Sequence, residues 1–193
     1  MASETWLVAG LGNPGPRYAR TRHNAGFDAV ESLVIRRKVV LKEKDEAIFG
    51  SYDLEGREVF LFFPQTFMNE SGRAIAPFLR YRQIPLSRLL ILSDDMDLPV
   101  GRLRLRLAGS SGGQHGLDSI MAHLNSTDFA RIRVGIGKPV LPGQGAEHVL
   151  STFTPEEKPL AVKAIERAGT GIETYILKGV DAAMRELNGE LLP

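Results

Sequence analysis

The apolar positions of the chain fall into two periods. Short runs or strict alternations mark strands: Leu7-Val8-Ala9, Ala47–Asp53, Glu58–Phe63, Leu89–Leu92, Arg102–Leu107 and Phe129–Ile136. Between them lie segments of helical spacing. Phe27, Val30, Leu33 and Val34 give an amphipathic helix ending near Arg37, and a second covers Ala74–Tyr81. A third carries Leu117, Ile120, Met121 and Leu124. A long one carries Leu160, Ala164, Ile165, Ala168, Ile172 and Ile176, and Val180, Ala183, Met184 and Leu187 extend its pattern past Gly179. Thr154-Pro155-Glu156-Glu157 is a capping box that starts this long helix. The charged stretch 38–46 and the Gly- and Pro-containing stretch 138–150 read as loops, and Leu54-Glu55-Gly56 as a turn between strands. Strands and helices alternate without a break in composition, which predicts one α/β domain over residues 1–193, a mixed sheet flanked by helices.

Two strands alternate arginine with apolar residues. Arg102, Arg104 and Arg106 lie opposite Leu103, Leu105 and Leu107, while Arg131 and Arg133 lie opposite Ile132, Val134 and Ile136. The expectation is that both arginine rows form solvated faces. Together with the loop Gly109-Ser110-Ser111-Gly112-Gly113, they would offer a local clamp for a few phosphates.

Composition narrows the chemistry. With 24 Lys and Arg against 23 Asp and Glu, net charge is +1, so an anionic partner must meet local basic patches rather than a global field. There is no cysteine, which excludes disulfides and thiolate chemistry. No apolar stretch reaches membrane-spanning length, and the strand beginning near residue 6 leaves no room for a targeting segment; the cytoplasm is the default compartment.

Candidate chemistry concentrates between Trp6 and Phe27. Gly10-Leu11-Gly12-Asn13-Pro14-Gly15 formally matches a dinucleotide fingerprint after a strand. That motif needs a helix to begin inside it, and Pro14 and Pro16 prevent one; Asp28 and Glu31, the downstream acids, fall on the next helix instead of at a second strand end. A structural turn explains the glycines but not the neighbouring Asn13, Tyr18 and His23. His23 lies where loop meets helix, a placement suited to a general base. At a strand's carboxyl end, Ser93-Asp94-Asp95-Met96-Asp97 supplies a carboxylate able to orient an imidazole, while Asp95 and Asp97 read as a solvated acidic loop. No histidine spacing fits a metal site, and no G-x-S-x-G elbow indicates a covalent acyl-enzyme.

Taken together, GLGNPGPRYARTRHN at 10–24, TFMNESG at 66–72, SDDMDLP at 93–99, GGQHGL at 112–117 and RIRVGIGKP at 131–139 resemble, in order, the motifs of bacterial-type peptidyl-tRNA hydrolase. The resemblance spans essentially the whole chain. It implies an α/β fold and a cofactor- and metal-free hydrolysis of the ester joining a peptide to the terminal ribose of tRNA, by a cytoplasmic monomer. Under it, His23 resembles the catalytic base, Asp94 the aspartate that holds it, and Asn13 the residue sensing a blocked amino group. Tyr18, Phe67 and Asn69 match contacts to the substrate's 3′ end and peptide, and Arg106 and Arg133 the pair gripping a terminal tRNA phosphate. The family usually reads GGHNGL where this chain has GGQHGL, so His115 stands in place of a substrate-binding asparagine. Ser93 and Asp95 stand where the family commonly has His and Glu.

Overall fold

The structure, a computed structural model, describes residues 4–189. Seven strands form one mixed sheet: β1 (Glu4–Gly10), β2 (Lys42–Lys44), β3 (Ala47–Leu54), β4 (Arg57–Pro64), β5 (Leu89–Asp95), β6 (Leu103–Arg106) and β7 (Ala130–Gly135). Six α-helices accompany them: α1 (Ala25–Arg37), α2 (Ser71–Arg82), α3 (His115–Leu124), α4 (Gly145–Leu150), α5 (Lys158–Lys178) and α6 (Val180–Leu187). The strand order is β2-β3-β4-β1-β5-β7-β6. β4, β1, β5 and β7 run parallel; β2, β3 and β6 are antiparallel to their neighbours.

The central strands are apolar at consecutive positions because both of their faces are covered. Along β1, Val8 points to the side of α1, α5 and α6, joining Ala29, Leu33, Ala168 and Ile172. Leu7 and Ala9 point to the other side, joining Ile75 of α2 and Leu117 and Ile120 of α3. All of these side chains are fully buried or nearly so. Each large one contributes roughly 2 kcal/mol relative to exposure.

The glycines at the end of β1 are required by close approach. A Cβ on Gly10 would lie 2.5 Å from the Gly26 carbonyl oxygen, and one on Gly26 would lie 2.3 Å from the Leu92 carbonyl oxygen. The first turn of α1 is thereby pressed against the carboxyl ends of β1 and β5, where parallel sheets bind ligands.

Several expectations are corrected. Residues 38–46 are not all loop: Lys42–Lys44 pairs antiparallel with Ala47–Phe49 as an edge strand, whose charged side chains are those an open edge tolerates. Residues 138–150 likewise include α4. α2 begins at Ser71, before Ala74, through a 3-10 turn at Met68–Glu70. Gly179, at φ +81°, ends α5 and starts α6 as a separate helix. The capping box is made reciprocally, with the Thr154 N–H donating to Glu157 and the Glu157 N–H to the Thr154 hydroxyl.

The arginine rows also differ from expectation. β6 is an edge strand and leaves Arg104 and Arg106 exposed, but β7 is interior and Arg131 is fully buried. Its guanidinium lies 4.3 Å from the Phe129 ring centroid and donates to the carbonyls of Gly109, Thr127 and Phe129. Burial, then the adjacent Arg133, pulls its pKa below the ordinary arginine value.

On α1, burial raises the Asp28 carboxyl to about 6; Arg20 opposes the rise and Glu31 adds to it. The folded state therefore holds this proton more tightly than the unfolded chain, where the group titrates near 3.8. The stability this proton confers is complete below that value and is lost as pH rises through about 6. Asp28→Asn is expected to gain on wild type by on the order of 2 kcal/mol between pH 4 and pH 8. Guanidinium unfolding at both pH values checks this, and a gap independent of pH would remove Asp28 as its source.

Candidate active site

At the carboxyl ends of β1 and β5 a cleft of about 410 Å³ opens, bounded on one side by the loop before α3 and on the other by α4. Asn13, His23 and Asp94 line it, and His115 stands at its mouth. Asp94, the sixth residue of β5, is buried. His23 sits in the 3-10 turn just before α1, so the close packing of α1 on β5 sets the imidazole beside that carboxylate. The two are joined from Nδ1 to Oδ2 at 2.8 Å. Their side chains are 13% and 3% exposed, so the pair is shielded while the outer edge of the ring still meets the cleft.

The other Asp94 oxygen is held by a residue that sequence reasoning passed over. Gln114 caps α3: its Oε1 accepts from the Leu117 N–H at 2.8 Å, which turns its Nε2 to donate to Asp94 Oδ1 at 2.9 Å. Glutamine is not among the usual N-cap residues, and that oddity was the available signal. With Gln114 holding one oxygen and His23 the other, Asp94 is fixed in position and accepts at both oxygens. A carboxylate there directs the Nδ1 proton toward itself and leaves Nε2 of His23 with its lone pair in the cleft.

Asn13 is fastened by backbone and side chain alike. Its N–H donates to Asn24 Oδ1 at 2.9 Å, and its carbonyl accepts from Asn24 Nδ2 at 3.0 Å. Its Oδ1 accepts from the Met68 N–H at 2.7 Å. Because that N–H can only donate, the amide orientation is set, and the Nδ2 donor is left for the cleft.

The remaining candidates are distributed around this centre. His115 is 76% exposed and lies 3.8 Å from Asp118. Tyr18 is half-buried in the loop before His23; Phe67 and Asn69 are exposed on the turn leading into α2, beyond the cleft-lining residues. Arg106 and Arg133 are not brought together directly, since Arg106 stands opposite Arg131 and Arg133 opposite Arg104. Arg133 is already engaged, with Asp95 at 3.1 Å and the Ser110 carbonyl at 2.7 Å. Asp95 is therefore not the solvated acid expected of it; Asp97, paired with Lys138 at the surface, is. Among the described residues no group of three or more His, Cys, Asp or Glu side chains converges as metal ligands would.

Arg22, one residue before His23, is a buried tie. It donates to the Ile136 carbonyl at 2.9 Å and to both oxygens of Glu157, and its guanidinium stands 4.8 Å from the Phe153 ring centroid. Burial alone would raise the Glu157 carboxyl, but hydrogen bonds from Arg22 and the Thr154 N–H outweigh it and hold the group below the usual carboxylate range. The stability this tie confers is present above the usual carboxylate range and is lost as pH falls below it, toward the lower value at which the folded group takes up its proton. Arg22→Met is expected to lower stability by about 2–3 kcal/mol at pH 7, and by less in acid as Glu157 becomes protonated. Thermal unfolding across pH tests it; an unchanged midpoint at pH 7 would refute the tie.

Comparison with known proteins gives one consistent result. The family model described as Peptidyl-tRNA hydrolase matches residues 7–192. The peptidyl-tRNA hydrolase of Halalkalibacterium halodurans is 43% identical over 184 residues, covering 94% of this chain and 99% of that protein. That of Synechococcus sp. is 46% identical, covering 95% and 92%. The crystal structure of peptidyl-tRNA hydrolase from Acinetobacter baumannii superposes with a TM-score of 0.91 at 37% identity, covering 98% of this chain and 97% of that one.

Proposed function

This chain belongs to the peptidyl-tRNA hydrolase family, so its reaction is hydrolysis of the ester linking peptide to tRNA, and we propose that His23 activates the water that carries it out. The observation that carries this reading is the 2.8 Å contact between His23 Nδ1 and Asp94 Oδ2 at the floor of the cleft. With Nδ1–H directed to the carboxylate, Nε2 takes a proton from water as its oxygen attacks the ester carbonyl carbon. Asp94 stabilises the imidazolium that forms. Collapse of the tetrahedral intermediate breaks the bond to the ribose oxygen, which receives the proton back from Nε2. The products are free tRNA and a peptide with a free carboxyl group. Nothing in this sequence needs a covalent intermediate.

Asn13 supports the reading from the other side. Its Nδ2 is the donor the Met68 N–H leaves unused, and it serves either the developing oxyanion or the carbonyl of a blocked amino group. A donor aimed at the oxyanion is worth about 3 kcal/mol in comparable sites. In the same reading Tyr18, Phe67 and Asn69 contact the 3′ end and peptide, and His115 meets substrate at the cleft mouth. Arg106 supplies the accessible half of the phosphate clamp, because Arg133 is shared with Asp95. All of these groups come from one chain, which fits a monomeric enzyme; peptidyl-tRNA as substrate fits the cytoplasm.

Four variants test this. His23→Ala is expected to lower turnover of N-acetyl-aminoacyl-tRNA by roughly 10²–10⁴-fold; a wild-type rate would end the mechanism. Unblocked aminoacyl-tRNA, assayed beside it, should be a poor substrate for wild type and a relatively better one for Asn13→Ala. Gln114→Met should lower kcat rather than raise KM and should shift the pH–rate profile, because Asp94 loses a donor while the cap position keeps its bulk. An unchanged profile would make Gln114 a cap and nothing more. Arg106→Ala should raise KM for tRNA substrates and flatten its salt dependence by about one unit. A KM and salt slope like wild type's would end the clamp.

A further inference from the structure

Asn24 stands at the N-cap position of α1, where an asparagine side chain ordinarily accepts from a backbone N–H of the first helical turn. Here it caps nothing. Its amide turns across to the loop after β1 and pairs with the backbone of Asn13 at both groups. Oδ1 accepts the Asn13 N–H at 2.9 Å, and Nδ2 donates to the Asn13 carbonyl at 3.0 Å. Both residues are buried, so the paired groups are shielded from solvent. The helix N–H that a cap would serve is met elsewhere, by Phe27 donating to the Leu11 carbonyl at 3.2 Å. The start of α1 and the loop are thereby joined at two levels, Leu11 and Asn13.

Asn24 follows His23 directly, and its own N–H donates to the Thr21 carbonyl at 3.0 Å, within the turn that Arg22 ties down. One side chain therefore connects the backbone that carries the general base to the backbone that carries the amide donor. The other ties on Asn13 do not make this connection. The Met68 N–H holds Oδ1 at 2.7 Å and so fixes which way the amide faces. Pro14, next in the chain, has no N–H to offer a neighbour. Among the described residues the backbone of Asn13 has no hydrogen bond besides the two to Asn24.

We infer that Asn24 is a positioning residue: it sets the separation between the Asn13 Nδ2 donor and the His23 Nε2 base, and so controls both the rate of ester cleavage and the preference for a blocked amino group. The inference rests on the roles proposed for Asn13 and His23 and adds the group that relates them. The two atoms act on neighbouring parts of one substrate. Nε2 serves the water that attacks the ester carbonyl carbon, and Nδ2 serves the oxyanion or the carbonyl that blocks the amino group. Tolerance in such an arrangement is small, since a displacement of about 1 Å costs on the order of 10²-fold in rate. Without the bridge, Asn13 stays oriented by Met68 but drifts relative to His23, while His23 keeps its contact with Asp94.

The experiment is a double-mutant cycle of wild type, Asn24→Ala, Asn13→Ala and the double variant, assayed on N-acetyl-aminoacyl-tRNA and on unblocked aminoacyl-tRNA. Asn24→Ala should lower kcat on the blocked substrate by about 10- to 100-fold. It should leave KM and the pH–rate profile unchanged and reduce the preference for the blocked substrate toward that of Asn13→Ala. In the Asn13→Ala background the same change should cost no more than about threefold, because the donor it positions is already gone. An equal loss in both backgrounds would overturn the inference, marking a general loosening of the fold. A shifted pH–rate profile would also overturn it, by placing the effect at His23 and Asp94. If melting shows that Asn24→Ala does not fold, Asn24→Asp takes its place and the cycle alone decides. That variant keeps the volume and the oxygen that accepts the Asn13 N–H, and its added charge acts on His23 in both backgrounds and cancels from the comparison. Asn13→Ala turning over like wild type would remove the role given to Asn13, and an inactive wild type would remove the proposed reaction; the inference falls with either.

Discussion

The contact on which the rest depends is that of Gly26 with the end of β5. A side chain at residue 26 would sit 2.3 Å from the Leu92 carbonyl oxygen, inside any van der Waals limit. The same oxygen accepts the Leu11 N–H at 2.9 Å, and the Leu11 carbonyl accepts the Phe27 N–H at 3.2 Å. One helix turn, two strand ends and the connecting loop are thereby locked within a few ångströms of each other. His23 lies three residues before Gly26 and Asp94 two residues after Leu92, so the histidine–aspartate contact follows from that backbone packing. A bulkier residue at 26 would separate imidazole from carboxylate without touching either.

The site is then assembled from short reaches out of rigid elements. Asp94 is on a strand interior to the sheet, His23 on a turn tied down by Arg22, and Gln114 on the first position outside α3. Each polar group in the cluster has a partner that fixes which of its atoms faces the cleft. The Met68 N–H settles the Asn13 amide, Leu117 settles Gln114, and the two donors to Asp94 settle the histidine tautomer. Such preorganisation lowers the reorganisation required when charge develops during ester cleavage.

Much of this was legible in the sequence because the signals are local. Apolar runs at Leu7–Ala9 and Leu89–Leu92, bounded by Gly, Pro and acidic clusters, give the central strands. The strand-to-loop position of Asn13 and His23 marks the site, and the family motifs supply the rest of the resemblance. What was not legible depends on tertiary placement. Lys42-Glu43-Lys44 has no apolar alternation, and only pairing with β3 makes it a strand. Gln114 shows in sequence only as an unusual residue at a helix start, which does not tell that its amide spans from the cap to Asp94, and the residue beside it, His115, drew attention by departing from the family asparagine. Arg22 sits in a basic run next to His23, and only a partner 135 residues away turns it inward.

The arginines make the general point. Arg104, Arg106, Arg131 and Arg133 occupy equivalent alternating positions, yet they have three different fates. β6 is the last strand of the sheet, so its arginines meet water; β7 is interior, so Arg131 is buried among backbone carbonyls and Arg133 is split between Asp95 and the glycine-rich loop. Period fixes which face a side chain takes, and strand order fixes whether that face is open. The same rule at the opposite edge leaves Lys42 and Lys44 uncovered beside α2, where Asp45 and Glu46 accompany them. A protein of nearly zero net charge can therefore carry a cationic row at one margin of its sheet, because its interior arginines are consumed by structure and those of β6 are not.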